Sequence, residues 1–229
     1  MPLHAETSFA ERPIGDIATS LPGATGIFRK YRLDFCCGGD QLLKEAAARR
    51  GADLASIESE LASLDRGAES DVPEDASAII DYILHRYHET HRRQLPELLR
   101  LALKVESVHA DNPQVPKGLA ALIRKLIGDL EVHMKKEELI LFPLIKSGVR
   151  SVDGPIAQMR FDHDDHGVLL RRLEEITNCF TPPEGACRSW QALYSGAAKF
   201  MDDIMEHISL ENNVLFPQFE EHAPRLTCH

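Results

Sequence analysis

The chain has 229 residues, 43% of them hydrophobic, and a net charge of −10. That length holds one large domain plus a small one, with ample apolar material for a core. The acidic balance argues against nucleic-acid partners, whose phosphates need Lys/Arg patches, and offers no polybasic surface to anionic lipid. No run of about 18 apolar residues occurs, and residues 1–15 lack an apolar stretch behind a basic segment, so a cytoplasmic protein with no membrane partner is expected. Five cysteines, two of them adjacent at Cys36-Cys37, do not make a secreted disulfide framework, and reduced thiols are expected.

Short amphipathic segments come first: Ile14 to Ser20, Gly23 to Tyr31, Asp40 to Arg50 and Asp53 to Leu64, punctuated by Pro22, Gly38-Gly39 and Gly51. They predict a small helical domain over residues 1–65. The acidic, small-residue-rich stretch that comes next lacks apolar periodicity and predicts a linker over 66–75. Four long periodic segments then run from about Ala76 to His109, Pro116 to Lys146, Pro155 to Cys179 and Ala186 to His222. Pro96 predicts a kink in the first of these, and Pro143 and Pro217 predict a bend or an end to the second and fourth. The fold class is all-α, with a four-helix up-and-down bundle over 76–229 behind the small helical domain.

Within the bundle segments one pattern occurs twice. Asp129, His133, Glu137 and Leu141-Phe142-Pro143 recur as Asp203, His207, Glu211 and Leu215-Phe216-Pro217. Residues four apart on a helix stack on one face with a rise of about 6 Å, so each His-x3-Glu pair can aim an imidazole and a carboxylate at one point. The preceding halves match too, His88 in Arg86-Tyr87-His88-Glu89-Thr90-His91 aligning with His163 in Phe161-Asp162-His163-Asp164-Asp165-His166. A duplicated helix pair therefore supplies His88, His133, Glu137, His163, His207 and Glu211. A single helical histidine is usually a surface or satisfied core residue, but carboxylates buried among apolar neighbours without a cation would be costly. Imidazole suits several transition metals and bridging carboxylates favour a hard dinuclear centre, which makes iron the leading candidate, with a structural zinc bundle as the redox-silent alternative. If Glu137 and Glu211 bridge, each iron keeps two histidines, and a solvent-derived oxo bridge would leave each one an open position for O2, nitric oxide or peroxide.

Other residues are less determined. Asp129 and Asp203 lie one turn before the paired histidines, where they can accept an imidazole's outer N–H or line an approach path; the alternative is an exposed helix charge. Glu138 points about 100° away from Glu137 and is expected to be solvated or engaged in helix pairing. His91 and His166 are expected to flank the site, and His85, His109 and His222 to be ordinary. Cys36 and Cys37 precede Gly38-Gly39-Asp40, and if Asp40 caps the next helix its N-terminus would favour reactive thiolates there. Adjacent cysteines close only a strained disulfide ring, so transient metal capture or a mixed disulfide suits them better than a bridge; the alternative is two small buried hydrophobes. Cys179 and Cys187 are expected to be structural or incidental, and Cys228 and His229 are assigned nothing.

Tyr31-Arg32-Leu33-Asp34-Phe35-Cys36-Cys37-Gly38-Gly39, followed by a hemerythrin-like bundle with this ligand set, resembles the di-iron proteins that repair iron-sulfur clusters. The resemblance extends to Val108-His109-Ala110-Asp111, Val115-Pro116-Lys117-Gly118-Leu119 and His207-Ile208-Ser209-Leu210-Glu211-Asn212-Asn213, and so covers nearly the whole chain. It implies a bacterial cytoplasmic protein with two non-haem irons held by the six residues above, and damaged iron-sulfur proteins as partners, the damage coming from nitric oxide or hydrogen peroxide. Homodimerisation is left open. Where the family often carries glutamate near the irons this chain has Asp129 and Asp162, each a methylene shorter, which bears on any role of these carboxylates beside the metal or along a channel. The remaining functional alternatives are a hemerythrin-like O2 or nitric oxide carrier or sensor, and an enzyme reducing nitric oxide or decomposing peroxide.

Overall fold

A computed structural model describes residues 8–64, 73, 75–149 and 151–220. The protein is all-α: among the described residues no strand forms, and the pairing of Pro13 with Leu42 is an isolated bridge. Most of the expected 66–75 linker, His222, Cys228 and His229 lie outside the described residues. The chain divides into two compact units, one made of Met1–Pro73 with Met205–Gln218 and the other of Glu74–Ile204 with Phe219–His229.

The first unit holds α1 (Ile14–Ser20), α2 (Ala24–Lys30), α3 (Leu43–Arg50) and α4 (Leu54–Ala62). Their apolar faces meet in one cluster built on Ile14, Ile17, Phe28, Leu43, Ile57 and Leu61, with Met205 packed against it. Each such fully buried side chain contributes about 1.5–3 kcal/mol before the entropy of ordering is counted. Gly51 ends α3 in the left-handed region at φ 64°, and the Asp53 side chain caps α4 by accepting the Ser56 N–H. Asp40 caps nothing. The helix after the cysteines begins at Leu43 rather than Asp40, behind an extended Leu42 with no side-chain cap, because the backbone from 39 to 43 is occupied in pairing: Gly15 N–H donates to Gly39 O, Ile14 N–H to Gln41 O and Leu43 N–H to Arg12 O. The double glycine has a packing reason, since a Cβ on Gly38 would sit 2.9 Å from Asp34 O, and one on Gly39 2.7 Å from Asn213 Oδ1.

The second unit is the helical bundle. Its first helix, α5, combines Ala76–Ile83, a π-turn at Leu84–His88 and Glu89–Val108, with Asp75 capping the start by accepting the Ala78 N–H. Helix α6 combines Leu119–Lys136, a π-turn at Glu137–Leu141 and Phe142–Lys146; α7 is Asp153–Ile176. Helix α8, Arg188–Leu210, runs on into a π-turn at Glu211–Leu215 and a short 3-10 turn, Phe216–Gln218. Isoleucines 79, 80 and 83 on α5, Leu126 and Leu130 on α6 and Phe200 on α8 are among the buried core.

Three π-turns interrupt these helices, and two of them have a proline as their cause. A proline cannot donate to the carbonyl four residues back, and its ring crowds that carbonyl. Ahead of Pro143 and Pro217 the ladder therefore widens by one residue, with Phe142 N–H bonding Glu137 O and Phe216 N–H bonding Glu211 O. Helix α6 continues past Pro143, whereas α8 tightens into the 3-10 turn at Pro217. Pro96 sits inside a continuous stretch of α5, and the π-turn of that helix, Glu89 N–H to Leu84 O, lies upstream of it. His88, Glu137 and Glu211 each stand at the first or last position of a π-turn.

Candidate metal centre

In the bundle unit four of the expected ligands meet. Glu137, fully buried, has its Oε2 3.4 Å from His88 Nε2 and its Oε1 3.2 Å from His133 Nε2. His163 Nε2 lies 3.2 Å from His133 Nε2, and the ligand atoms of His133, Glu137 and His163 all fall within 4.8 Å of one another. Helices α5, α6 and α7 each supply at least one member.

The outer edges of these imidazoles fix which nitrogen bears the proton. His88 Nδ1 lies 2.8 Å from Glu138 Oε1, and His133 Nδ1 lies 3.3 Å from Asp162 Oδ2. An ionised carboxylate only accepts, so both Nδ1 atoms are the donors, and in the neutral rings both Nε2 lone pairs face inward, toward the Glu137 carboxylate. Lone pairs of buried nitrogens and a buried carboxylate then converge in the interior. A cation satisfies that arrangement, and imidazole with carboxylate is a donor set suited to iron.

The outer carboxylates are themselves clamped. Glu138 accepts from Arg92 Nη1 at 2.7 Å, and Arg92 reaches Glu131 with its Nε at 2.9 Å. Burial pulls the Glu138 carboxyl upward, but the bonds from Arg92 and His88 outweigh it and hold the group below the usual carboxylate range. Asp162 accepts from Lys136 Nζ at 2.7 Å and from Gln158 Nε2 at 2.8 Å, and the bond from His133, assisted by these two, holds it well below that range. Of the two expectations for Glu138, solvated or engaged in helix pairing, the second describes it. It crosses from α6 to α5, whereas Asp129, half-exposed, pairs with Lys125 on its own helix at 2.7 Å. Asp203 is no exposed helix charge either: it is 2% exposed and accepts from Arg86 Nη2 and Gln94 Nε2, both at 2.8 Å, and from Lys199 Nζ at 3.1 Å.

His166 and His91 are both buried. His166 sets its ring edge-on to His133 at 4.9 Å, and burial, followed by the neighbouring His133 and His163, pushes it down to about 3. It is a neutral imidazole at physiological pH. His91 stacks on Tyr87 at 6.2 Å and meets the edge of Phe200 at 5.6 Å.

In the other unit the second His-x3-Glu pair also closes, with His207 Nε2 3.0 Å from Glu211 Oε1 and both residues buried. The next residue along, Asn212, donates from Nδ2 to the carbonyl of Cys36 at 2.9 Å, and Asn213 does the same to Phe35 O at 3.1 Å. The vicinal cysteines are therefore seated on the segment that carries Glu211. Their sulfurs stand 3.7 Å apart, unbridged, and Asp34 Oδ1 accepts from Cys36 Sγ at 3.3 Å and from Cys37 N–H at 3.0 Å. The hydrogen bond with Cys37, then burial and the nearby Asp34, push the Cys36 thiol well above its ordinary value.

Residues 79–219 match the hemerythrin HHE cation binding domain, and residues 10–65 match a domain of unknown function named ScdA_N. Over 217 residues, 92% of this chain and 97% of the relative, the sequence is 52% identical to the iron-sulfur cluster repair protein YtfE of Citrobacter koseri. It is 51% identical to the protein of the same name from Cronobacter sakazakii and 50% to that of an Escherichia coli strain, with the same coverage. The chain belongs to the YtfE family of iron-sulfur cluster repair proteins.

Two features of this YtfE-family chain escaped the sequence. Glu131 and Glu138 share Arg92 because positions seven apart return to one helix face, a spacing visible in the sequence but silent about the partner across the groove. The repeat flagged Asp203, but its anchoring by Arg86 and Gln94 gave no local signal, since those partners sit more than a hundred residues away. No helix among the described residues is long and apolar enough to cross a membrane.

Proposed function

We propose that this protein holds two iron ions and restores iron-sulfur clusters damaged by nitrosative or oxidative stress, acting in the cytoplasm on damaged cluster proteins. His88, His133, Glu137, His163, His207 and Glu211 would hold them. The convergence of inward-facing Nε2 lone pairs on the fully buried Glu137 carries the proposal, and the names of the relatives, iron-sulfur cluster repair proteins, agree with it.

When bound, such a pair of ions supplies redox equivalents or releasable iron and reacts with small molecules such as nitric oxide, O2 or hydrogen peroxide. The protein's own part is to hold the donors. Glu138 and Asp162 fix the tautomers of His88 and His133, Arg92 and Lys136 keep those carboxylates ionised, and full burial keeps bulk water from Glu137. Cys36 and Cys37, unbridged beside Asp34, take part in handing iron or electrons to the client.

Metal analysis of the purified chain, with visible and Mössbauer spectra before and after nitric oxide, tests the proposal. Two antiferromagnetically coupled irons per chain, perturbed by the gas, are expected. Zinc, or a redox-silent centre, would overturn it.

A further inference from the structure

Cys187 and His109 take no part in the centre described above. Cys187 immediately precedes α8, and its carbonyl accepts from the third and fourth N–H groups of that helix, Trp190 at 2.9 Å and Gln191 at 3.0 Å. Its Sγ lies 3.1 Å from Nε2 of His109, the residue that closes α5 with its own N–H on Val105 O. The imidazole is held on its other side by Trp190, a fully buried indole whose ring centroid is 5.0 Å away. Cys187 and His109 are both only partly buried residues.

We infer that Cys187 and His109 form a nucleophile and base pair, and that Cys187 is a site of thiol-disulfide exchange with low-molecular-weight disulfides. The thiolate is the attacking species in such chemistry, and a neighbouring imidazole and a helix N-terminus are the two surroundings that favour it. Here the imidazole stands beside the sulfur of a residue that immediately precedes a 23-residue helix. In the exchange, Cys187 Sγ attacks one sulfur of the disulfide as its proton passes to His109 Nε2. The new S–S bond forms while the old one breaks, and the departing thiolate collects the proton from the imidazolium. Cys187 is oxidised to a mixed disulfide and the leaving half of the reagent is reduced to a thiol, with no other oxidant needed. Cys179 provides the internal reference, being half-buried like Cys187 but bonded to no imidazole among the described residues.

The full-length, metal-loaded chain is treated with glutathione disulfide at neutral pH, and the mixed disulfides are timed peptide by peptide by mass spectrometry. Cys187 is expected to react roughly tenfold faster than Cys179, and His109→Gln to slow Cys187 by roughly tenfold with Cys179 unchanged. Circular dichroism checks the fold, and His109→Asn replaces the first variant should that one melt early. Equal rates at Cys187 and Cys179 in the unaltered chain, or a Cys187 rate that the folded His109 variant leaves unchanged, would overturn the inference.

Discussion

Glu138 on α6 accepts the Nδ1 proton of His88 on α5 at 2.8 Å, and in doing so turns the other nitrogen of that ring toward Glu137. A residue next to a proposed ligand on one helix thereby sets the tautomer of a ligand on another.

Glu138→Gln keeps the shape but replaces a group that only accepts with one that can also donate. The expected outcome is iron affinity lower by roughly 10–100-fold, as is typical when an outer carboxylate on a ligating histidine is lost. Competition against a chelator measures it. Unchanged affinity would mean that Glu138 serves only to pair with Arg92.

On the proposed ligand assignment, Glu137→Ala and Glu211→Ala should each lower bound iron by about one ion per chain or more, because each removes a carboxylate donor from the centre. Metal analysis decides, and full iron content in both variants would sink the ligand assignment.

The double variant Cys36→Ala, Cys37→Ala is expected to retain its iron while losing repair of a damaged cluster protein. Neither sulfur belongs to the proposed ligand set, and Asn212 binds the backbone carbonyl of Cys36, which the substitution preserves. Undiminished repair would relegate both thiols to packing.

Asp203 should contribute to acid stability. Burial raises its carboxyl, and bonds from Arg86, Gln94 and Lys199 more than offset this, leaving the folded value below the ordinary one. A depressed folded value means that the stabilisation is complete above the unfolded value, about pH 4, and is lost as the pH falls through the folded value. Asp203→Ala is therefore expected to cost about 1–3 kcal/mol at neutral pH, by leaving Arg86 and Gln94 without their acceptor, and to flatten the loss of stability in acid. Denaturant melts of both proteins across that range measure it; parallel curves would assign the acid response to other carboxylates such as Asp162.

The repeated His-x3-Glu spacing, the all-helical class and most helix positions are properties of the sequence itself. Helical geometry fixes which residues share a face within one segment, so the closure of His133 on Glu137 and of His207 on Glu211 needs no knowledge of the partner helices. Local periodicity carries no information about register between helices. That register alone decides that Glu138 reaches His88, that Asp162 rather than Asp129 serves His133, that Asp203 is buried under Arg86, and that Asn212 holds Cys36. The π-turns before Pro143 and Pro217 add one residue to a turn and rotate the helix beyond them, a shift that the 3.6-residue period does not encode. Donors and their spacing were legible because they are properties of a single helix, and the groups that orient them were not, because those contacts join residues 29 to 176 positions apart.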